Sequence, residues 1–558
     1  MATISLPGLA TGIDTSKIID QLVAAARVPE KLLQARQAQV NQQSSAFGTL
    51  AGDIETLKSA LDDLRSAADL RAFSISTSDV GILTAEASSG ASEGTHEILI
   101  DRLASADRKV NAGLASADTL VGAGTFAYTY NGETRVLQTT ASTTLEGLRD
   151  MINNDGGNPG VTASLLQYDA GDGHVFHLIL GGSNTGADYA IAIDDAQTTL
   201  TAFQAGTFTT TQAAQNARLK VDGYPTGADW IERSGNTVDD VLQGVTLHLH
   251  ATTPDADQPL RLSLSRNTAG LKTKLQTFVA DYNNVVTYAQ KQTAYDQTTK
   301  TAGVLMGEFA VTNILYQLRA PLADRVTGFQ DGKDAFTLGG QIGLSLDRAG
   351  KLQLDETTLN DALSTDYLGV LSLLGADRTG AADGDNLRFY GAPSTTRPGV
   401  YDVKATFADG AIVSAMIKLD GEPESAWRNA TIQDGVIIGA SGHPEADMQV
   451  TGTYSGSGTV QTQVRVRQGL AGRMYDLIDN SLKNSIDLTK KRYQDQVDML
   501  QHDIDNEEER VARIEKQYKA QYARLEQTLT LLQAQFGALN GMYSSSSSSS
   551  SSSFSSQD

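Results

Sequence analysis

The chain has 558 residues, enough for several domains, because a single core rarely grows past about 250–300 residues. Its 44 Lys and Arg against 66 Asp and Glu leave a net charge of −22, which repels nucleic-acid phosphates and anionic lipid surfaces, and no basic stripe overrides that balance. Only 6% of residues are aromatic, no stretch approaches the roughly 18 apolar residues of a membrane span, and the absence of Cys excludes disulfides, thiolate catalysis and thiolate metal sites.

The first segment, Ile4 to Glu30, lacks the order of a secretory signal: its first basic residue, Lys17, follows Asp14, and Gly8, Gly12 and Asp20 break the apolar run. It reads instead as a turn that launches a helix and stays on the mature protein. Asp14 to Ser16 offer N-cap oxygens, Ile18, Ile19, Leu22, Val23 and Ala26 repeat on one face, and Pro29 ends or kinks the helix. A seven-residue ladder follows: Leu33, Val40, Phe47, Ile54 and Leu61, with Leu50, Leu57 and Leu64 three residues after its last three members. Arg36 and Gln43 at the companion positions weaken its first half.

Beyond the ladder the period changes to two. Residues 97–100, 124–138 with an Asn131-Gly132 hairpin turn, 174–180 and 244–250 predict strands. Thr143 and Glu146 predict a capping box before a short helix carrying Leu145, Leu148, Met151 and Ile152. Residues 270–292 return to helical period through Leu271, Leu275, Phe278, Val279, Tyr282, Val285 and Val286, a hairpin is expected at 342–355, and 385–466 is again strand-like. A second heptad ladder ends the ordered sequence: Val497, Ile504, Val511, Ile514, Tyr518, Leu525, Leu532 and Leu539, with Leu500 beside it and a stripe of Tyr522, Leu529 and Phe536 widening it. From Val497 to Leu539 it spans 539 − 497 = 42 residues, about 63 Å of helix. Glu507, Gln521, Thr528 and Gln535 interrupt the companion positions, and the serine run after Tyr543 reads as a disordered appendage. One helix cannot bury such a seam, so the terminal helices are expected to pair with each other as an intramolecular stalk; the alternative adds a second face that meets other copies of the chain.

These periods predict an α+β multidomain fold: a discontinuous helical coiled-coil stalk built from both termini, with inserted β-rich domains. No chemistry competes with that reading. His248 and His250 share a strand face opposite Val245, Leu247 and Leu249, which makes them the solvent side of a half-buried strand, and His174 and His177 point to opposite faces. Gly328 to Lys333 is one residue short of a phosphate loop, with Asp334 where Ser or Thr should stand, and the 169–173 segment lacks most ligands of a calcium loop. No catalytic residue, metal ligand or cofactor is expected.

Five collinear segments carry a resemblance: "LPGLATGIDTSKIIDQLV" at the start, "GNTVDDVLQGVTLHL" (235–249), "FVADYNNVV" (278–286), "IGLSLDRAGKLQLDETTLNDAL" (342–363) and the C-terminal heptads. Together they resemble the bacterial flagellar filament cap family, hook-associated protein 2, and residues 124–193 resemble the β-rich module of flagellins and hook proteins. The resemblance implies a homo-oligomer, commonly a pentamer, at the distal tip of the filament, whose β domains form a plate and whose helical legs reach down to it. Flagellin would fold beneath the plate and be inserted, and the cap itself would leave the cell by the flagellar export apparatus with its chaperone. The implied division is a coiled-coil leg (1–42 with 515–543), a helical stalk domain (43–75 with 268–380 and 465–514), a β-rich domain (76–115 with 215–267) and a flagellin/hook-like β domain (116–214). Residues 381–464 depart from the shorter family pattern as an added β insertion, and 544–558 form the serine tail. Self-association falls on Leu33, Val40, Phe47, Ile54, Leu61, Val497, Ile504, Val511, Tyr518, Leu525, Leu532 and Leu539. The competing readings are a hook-filament junction protein and a surface adhesin, with an enzyme last.

Overall fold

The computed structural model describes residues 14–169 and 171–547, with side chains through Met542. The readings made on Ile4 to Ile13 and on the serines from 548 onward lie outside the described residues. Among those described, the helices are α1 (Thr15–Ala26), α2 (Val28–Asp62), α3 (Ala67–Leu70), α4 (Leu145–Asn154), α5 (Thr268–Thr293), α6 (Phe309–Ala323), α7 (Glu356–Thr365), α8 (Tyr367–Gly375), α9 (Leu470–Ser481) and α10 (Asp487–Ser547). A π-helical turn, Leu482–Ile486, joins α9 to α10, and Ser544 to Ser547 still belong to α10. The chain divides into two compact units: residues up to Ser66 with those from Lys274 onward, and Ala67–Thr273.

The first unit is a helical body with a β-rich part. Asp14 caps α1 by accepting from the Lys17 N–H. Pro29 stands in the first turn of α2, where its missing N–H leaves no helical bond unmade, so the break between α1 and α2 is the single residue Arg27. Helix α2 buries Phe47, Leu50, Ile54, Leu57 and Leu61 almost completely, and α5 adds Leu275, Phe278, Tyr282, Val285 and Val286. Burial pushes the Tyr282 phenol up to about 12. The expected hairpin is present as paired Leu344–Leu346 and Leu352–Leu354.

Between α8 and α9 the chain forms two sheets over one core of Tyr401, Val403, Phe407, Ile417, Val450 and Val464. Five strands run in the order Asp377–Ala382, Gly458–Gln468, Gly399–Ala408, Ala411–Leu419, Arg428–Asn429, and four in the order Leu387–Gly391, Gln449–Gly452, Val436–Ile438, Thr431–Gln433. Asp409 and Gly410, both at positive φ, make the tight turn between two of the longest strands. The segment faintly like a phosphate loop is an anchor: Asp334 is buried between Arg465 at 2.7 Å and Arg467 at 2.6 Å, and Gly328, at φ +79°, lies so close to Val466 that an added Cβ would sit 2.2 Å from its carbonyl oxygen.

The second unit holds two cores. One lies between a five-stranded sheet (Phe73–Thr77, Leu260–Arg266, Gly94–Arg102, Ala217–Val221, Ile231–Arg233) and a three-stranded one (Thr237–Leu242, Val245–Leu249, Leu83–Ala87). The other gathers Phe126, Tyr128, Tyr130, Leu145, Leu148, Leu178 and Phe203 beneath α4, a four-stranded sheet (Phe208–Gln212, Ala106–Asn111, Phe176–Thr185, Val161–Gln167) and a three-stranded sheet around Gly124–Tyr130. The Asn131-Gly132 turn is where the dipeptide places it, with both residues at positive φ. The cap of α4 is one residue off the expectation. Thr144, not Thr143, accepts from the Gly147 N–H, because Thr143 Oγ1 already accepts from the Thr140 N–H in the preceding turn.

Candidate self-association surface

The apolar ladders meet in an antiparallel seam. Helix α2 packs along α10 and α9, and α1 packs on α10 beyond it. Polar contacts fix the register as the numbers rise on one side and fall on the other: Lys58 to Asp479 at 2.7 Å, Gln37 to Gln501 at 2.9 Å, and Thr15 to Glu526 at 2.8 Å. At the break after α1, the Arg510 guanidinium donates to the Ala26 carbonyl at 2.9 Å and is steadied by Glu507. Lys58 hydrogen-bonds Asp479, which raises its pKa, while Lys483 and then Lys58 hold the Asp479 carboxyl low. Tyr493, its ring 6.0 Å from Phe47, donates to Glu308, and burial together with that carboxylate pushes its phenol up to about 12.

Coverage of the ladder changes along its length. Val40, Phe47, Ile54 and Leu61 are buried, as are Leu500, Ile504 and Val511; Leu33, Val497 and Tyr518 are half-buried. Val511 packs with Ile19 and Val23 of α1, with Tyr518 and Tyr522 at the edge of that cluster. Further along α10 the same stripe lies open: Leu525 is 51% exposed, Leu532 42%, Phe536 69% and Leu539 54%. At 3.6 residues per turn these four lie on the helical face that carries Val511 and Tyr518 further up. The stalk thus buries its seam internally at one end and presents it at the other.

Sequence reasoning left out Tyr493, although it precedes Leu500 by seven and continues that row. The pairs Thr15–Glu526 and Gln37–Gln501 had no signal, since each joins residues more than 460 positions apart. Three of the histidines hydrogen-bond neighbouring strands and loops: His250 with Thr84 at 2.8 Å, His248 with Thr237 at 3.3 Å, and His177 with the Asn111 and Tyr168 carbonyls at 3.0 Å. Among the described residues no group of three or more His, Cys, Asp or Glu is placed to hold a metal, and no helix is long and apolar enough to cross a membrane.

Long helices from both ends of one chain, β-rich parts between them and a half-covered heptad seam define a multidomain protein built on a helical stalk. The chain belongs to the flagellar hook-associated protein 2 family: the family's C-terminal model matches residues 214–534 and its N-terminal model residues 11–107. Among curated relatives, the B-type flagellar hook-associated protein 2 of Pseudomonas aeruginosa is 28% identical over 65% of this chain and 78% of its own length. The flagellar hook-associated protein 2 of Escherichia coli K12 is 28% identical over 68% and 81%. The crystal structure of the D1-D2-D3 domains of the Escherichia coli flagellar cap protein superposes with a TM-score of 0.50 at 27% identity, covering 59% of this chain and 90% of that one. Membership favours the cap over the junction-protein and adhesin readings.

Proposed function

We propose that this chain caps the distal tip of the bacterial flagellar filament and works by docking, not by catalysis. It assembles as a homo-oligomer, a pentamer in the form common to the family, and beneath its β-rich plate exported flagellin folds and is inserted into the filament. It reaches that place as an extracellular protein, delivered by the flagellar export apparatus with its chaperone, and it needs no cofactor. The leg is 1–42 with 515–543, the stalk 43–75 with 268–380 and 465–514, the β-rich domains are 76–115 with 215–267 and 116–214, and 381–464 is an additional β-rich insertion.

The observation that carries this reading is the open stretch of α10, where Leu525, Leu532 and Leu539 continue a buried ladder into solvent in a chain of the cap family. An apolar heptad stripe left open favours a helical partner, since each buried aliphatic contributes about 1.5–3 kcal/mol. Polar residues at Gln521 and Thr528 would let such contacts form and release as subunits are added.

Deleting the gene tests the function. The deletion strain should shed unpolymerised flagellin into the medium and lose swimming, and the wild-type gene should restore both. A copy with Leu525, Leu532 and Leu539 each replaced by Lys should be secreted and fail to restore filaments. A deletion strain that swims and retains its flagellin would sink the proposal. Replacing Gln521 and Thr528 with Leu should shorten filaments; unchanged assembly would remove the release argument alone.

A further inference from the structure

In the second unit, the four-stranded sheet has two edges, Val161–Gln167 and Phe208–Gln212, each paired on one side only. Natural sheets guard such edges with charge, Pro or a covering group, because an unpaired row of N–H and C=O groups recruits another strand. The first half of the Val161 edge is guarded. Asn158 exchanges two hydrogen bonds with the Val161 backbone at 2.6 and 2.8 Å, and Asn153 of α4 does the same with Ala163 at 2.8 Å each way. By strand alternation the next outward-facing backbone groups are those of Leu165 and Gln167, and among the described residues no side chain mimics a strand there. Leu166 and Tyr168 stand exposed beside them at 44% and 62%.

The opposite edge has the same character. Thr209 to Gln212 are exposed, and the ladder is regular from Phe208 to Thr210 before a bulge at Thr211. No Asp, Glu, Lys or Arg occurs from 156 to 168 or from 196 to 217, although one residue in five of the whole chain is charged. Neither edge carries a charged side chain of its own, and the Lys109 ammonium that reaches Thr210 Oγ1 at 2.8 Å is met by Asp107 at 3.6 Å.

We propose that these two edges join copies of this chain head to tail, the Leu165–Gln167 edge of one copy pairing with the Phe208–Thr210 edge of the next. All three strand pairs in the sheet are antiparallel, so its two edges run in opposite directions. A second copy set alongside in the same orientation therefore presents its Phe208 edge antiparallel to the Val161 edge, and the sheet continues across the boundary without inversion. A contact between two different patches propagates around a ring and closes it when the rotation matches. The proposal rests on the homo-oligomer reading above and names one of its interfaces.

The full chain has no Cys, so engineered thiols report without background. Leu166→Cys and Thr209→Cys both project from the solvent face of the sheet. Mixing the two single variants under mild oxidation should give a covalent heterodimer, and the double variant a ladder of linked chains; Val80→Cys, exposed elsewhere in the unit, should link to neither. Gln167→Pro removes one outward N–H without touching the existing ladder, and should weaken association at least tenfold in sedimentation at an unchanged melting temperature. Leu166→Lys, which adds the missing guard, should do the same and carries the test if the Pro variant unfolds. An oligomer that persists with no 166–209 link and is indifferent to both substitutions overturns the interface and leaves the oligomer standing. Self-linking of Leu166→Cys alone also overturns it, in favour of a two-fold edge pair. A wild-type chain that stays monomeric at high concentration overturns the homo-oligomer reading itself.

Discussion

Truncating the same ladder at its two ends should have unequal consequences. Ile54 is 1% exposed in the body of the seam, whereas Leu532 is 42% exposed on the open stretch of α10. Ile54→Ala removes a buried branched side chain and leaves a cavity beside Ile314, Leu318 and Ile478, a change that costs about 2–5 kcal/mol. Leu532→Ala removes methyls that already meet water, so its cost in the isolated chain should stay within about 0.5 kcal/mol. Urea titrations followed by helical circular dichroism, at a concentration low enough to keep the chain dissociated, compare the two directly. Equal losses would mean that something in the chain covers the distal stripe, and the docking argument would fall. A negligible loss at Ile54 would instead deny that the ladder is core.

Thr144→Ala should cost about 1 kcal/mol and unprotect the Gly147 amide in hydrogen exchange, while Thr143→Ala should leave that amide protected. Gly328→Ala should destabilise the chain by about 1–3 kcal/mol in the same titration, since it puts a Cβ 2.2 Å from the Val466 carbonyl at a positive φ. Glu445 is fully buried and holds Arg428 through both oxygens, so Glu445→Ala should cost about 1–3 kcal/mol by removing two of the guanidinium's hydrogen bonds and leaving it Glu422 as a carboxylate partner, and Glu445→Leu combined with Arg428→Met should recover much of that loss. The hydrogen bond from Arg428 holds the Glu422 carboxyl below its ordinary range. Its folded pKa is thus lower than its unfolded one, so the stabilisation is present above about pH 4.3 and is lost as the pH falls through the folded value. Denaturation of wild type and Arg428→Met at a series of acid pH values should show that dependence in the first and not in the second.

Much of the fold was legible because its signals are local. Three-to-four-residue spacing of apolar side chains marked α1, α5 and α10, Pro29 marked the break after α1, and Asn131-Gly132 marked a hairpin whose positive φ values those two residues tolerate. The α4 cap was misplaced by one because adjacent threonines both satisfy the local pattern. Only the turn at Thr140 decides which hydroxyl is already engaged. Gly328 to Lys333 could be set aside as a phosphate loop from its spacing, yet the partners of Asp334, Arg465 and Arg467, lie about 130 residues away and no spacing rule links them.

By itself, the sequence determined that this protein has apolar rods at both ends and β-rich matter between them, because periodicity is written residue by residue. The tertiary structure decided how much of each rod is covered. The stripe is core at Leu500, Ile504 and Val511, and the same stripe is open surface at Leu525, Leu532 and Leu539. A heptad records which face seeks a partner, and only the packing of the whole chain determines where along the face that partner is met.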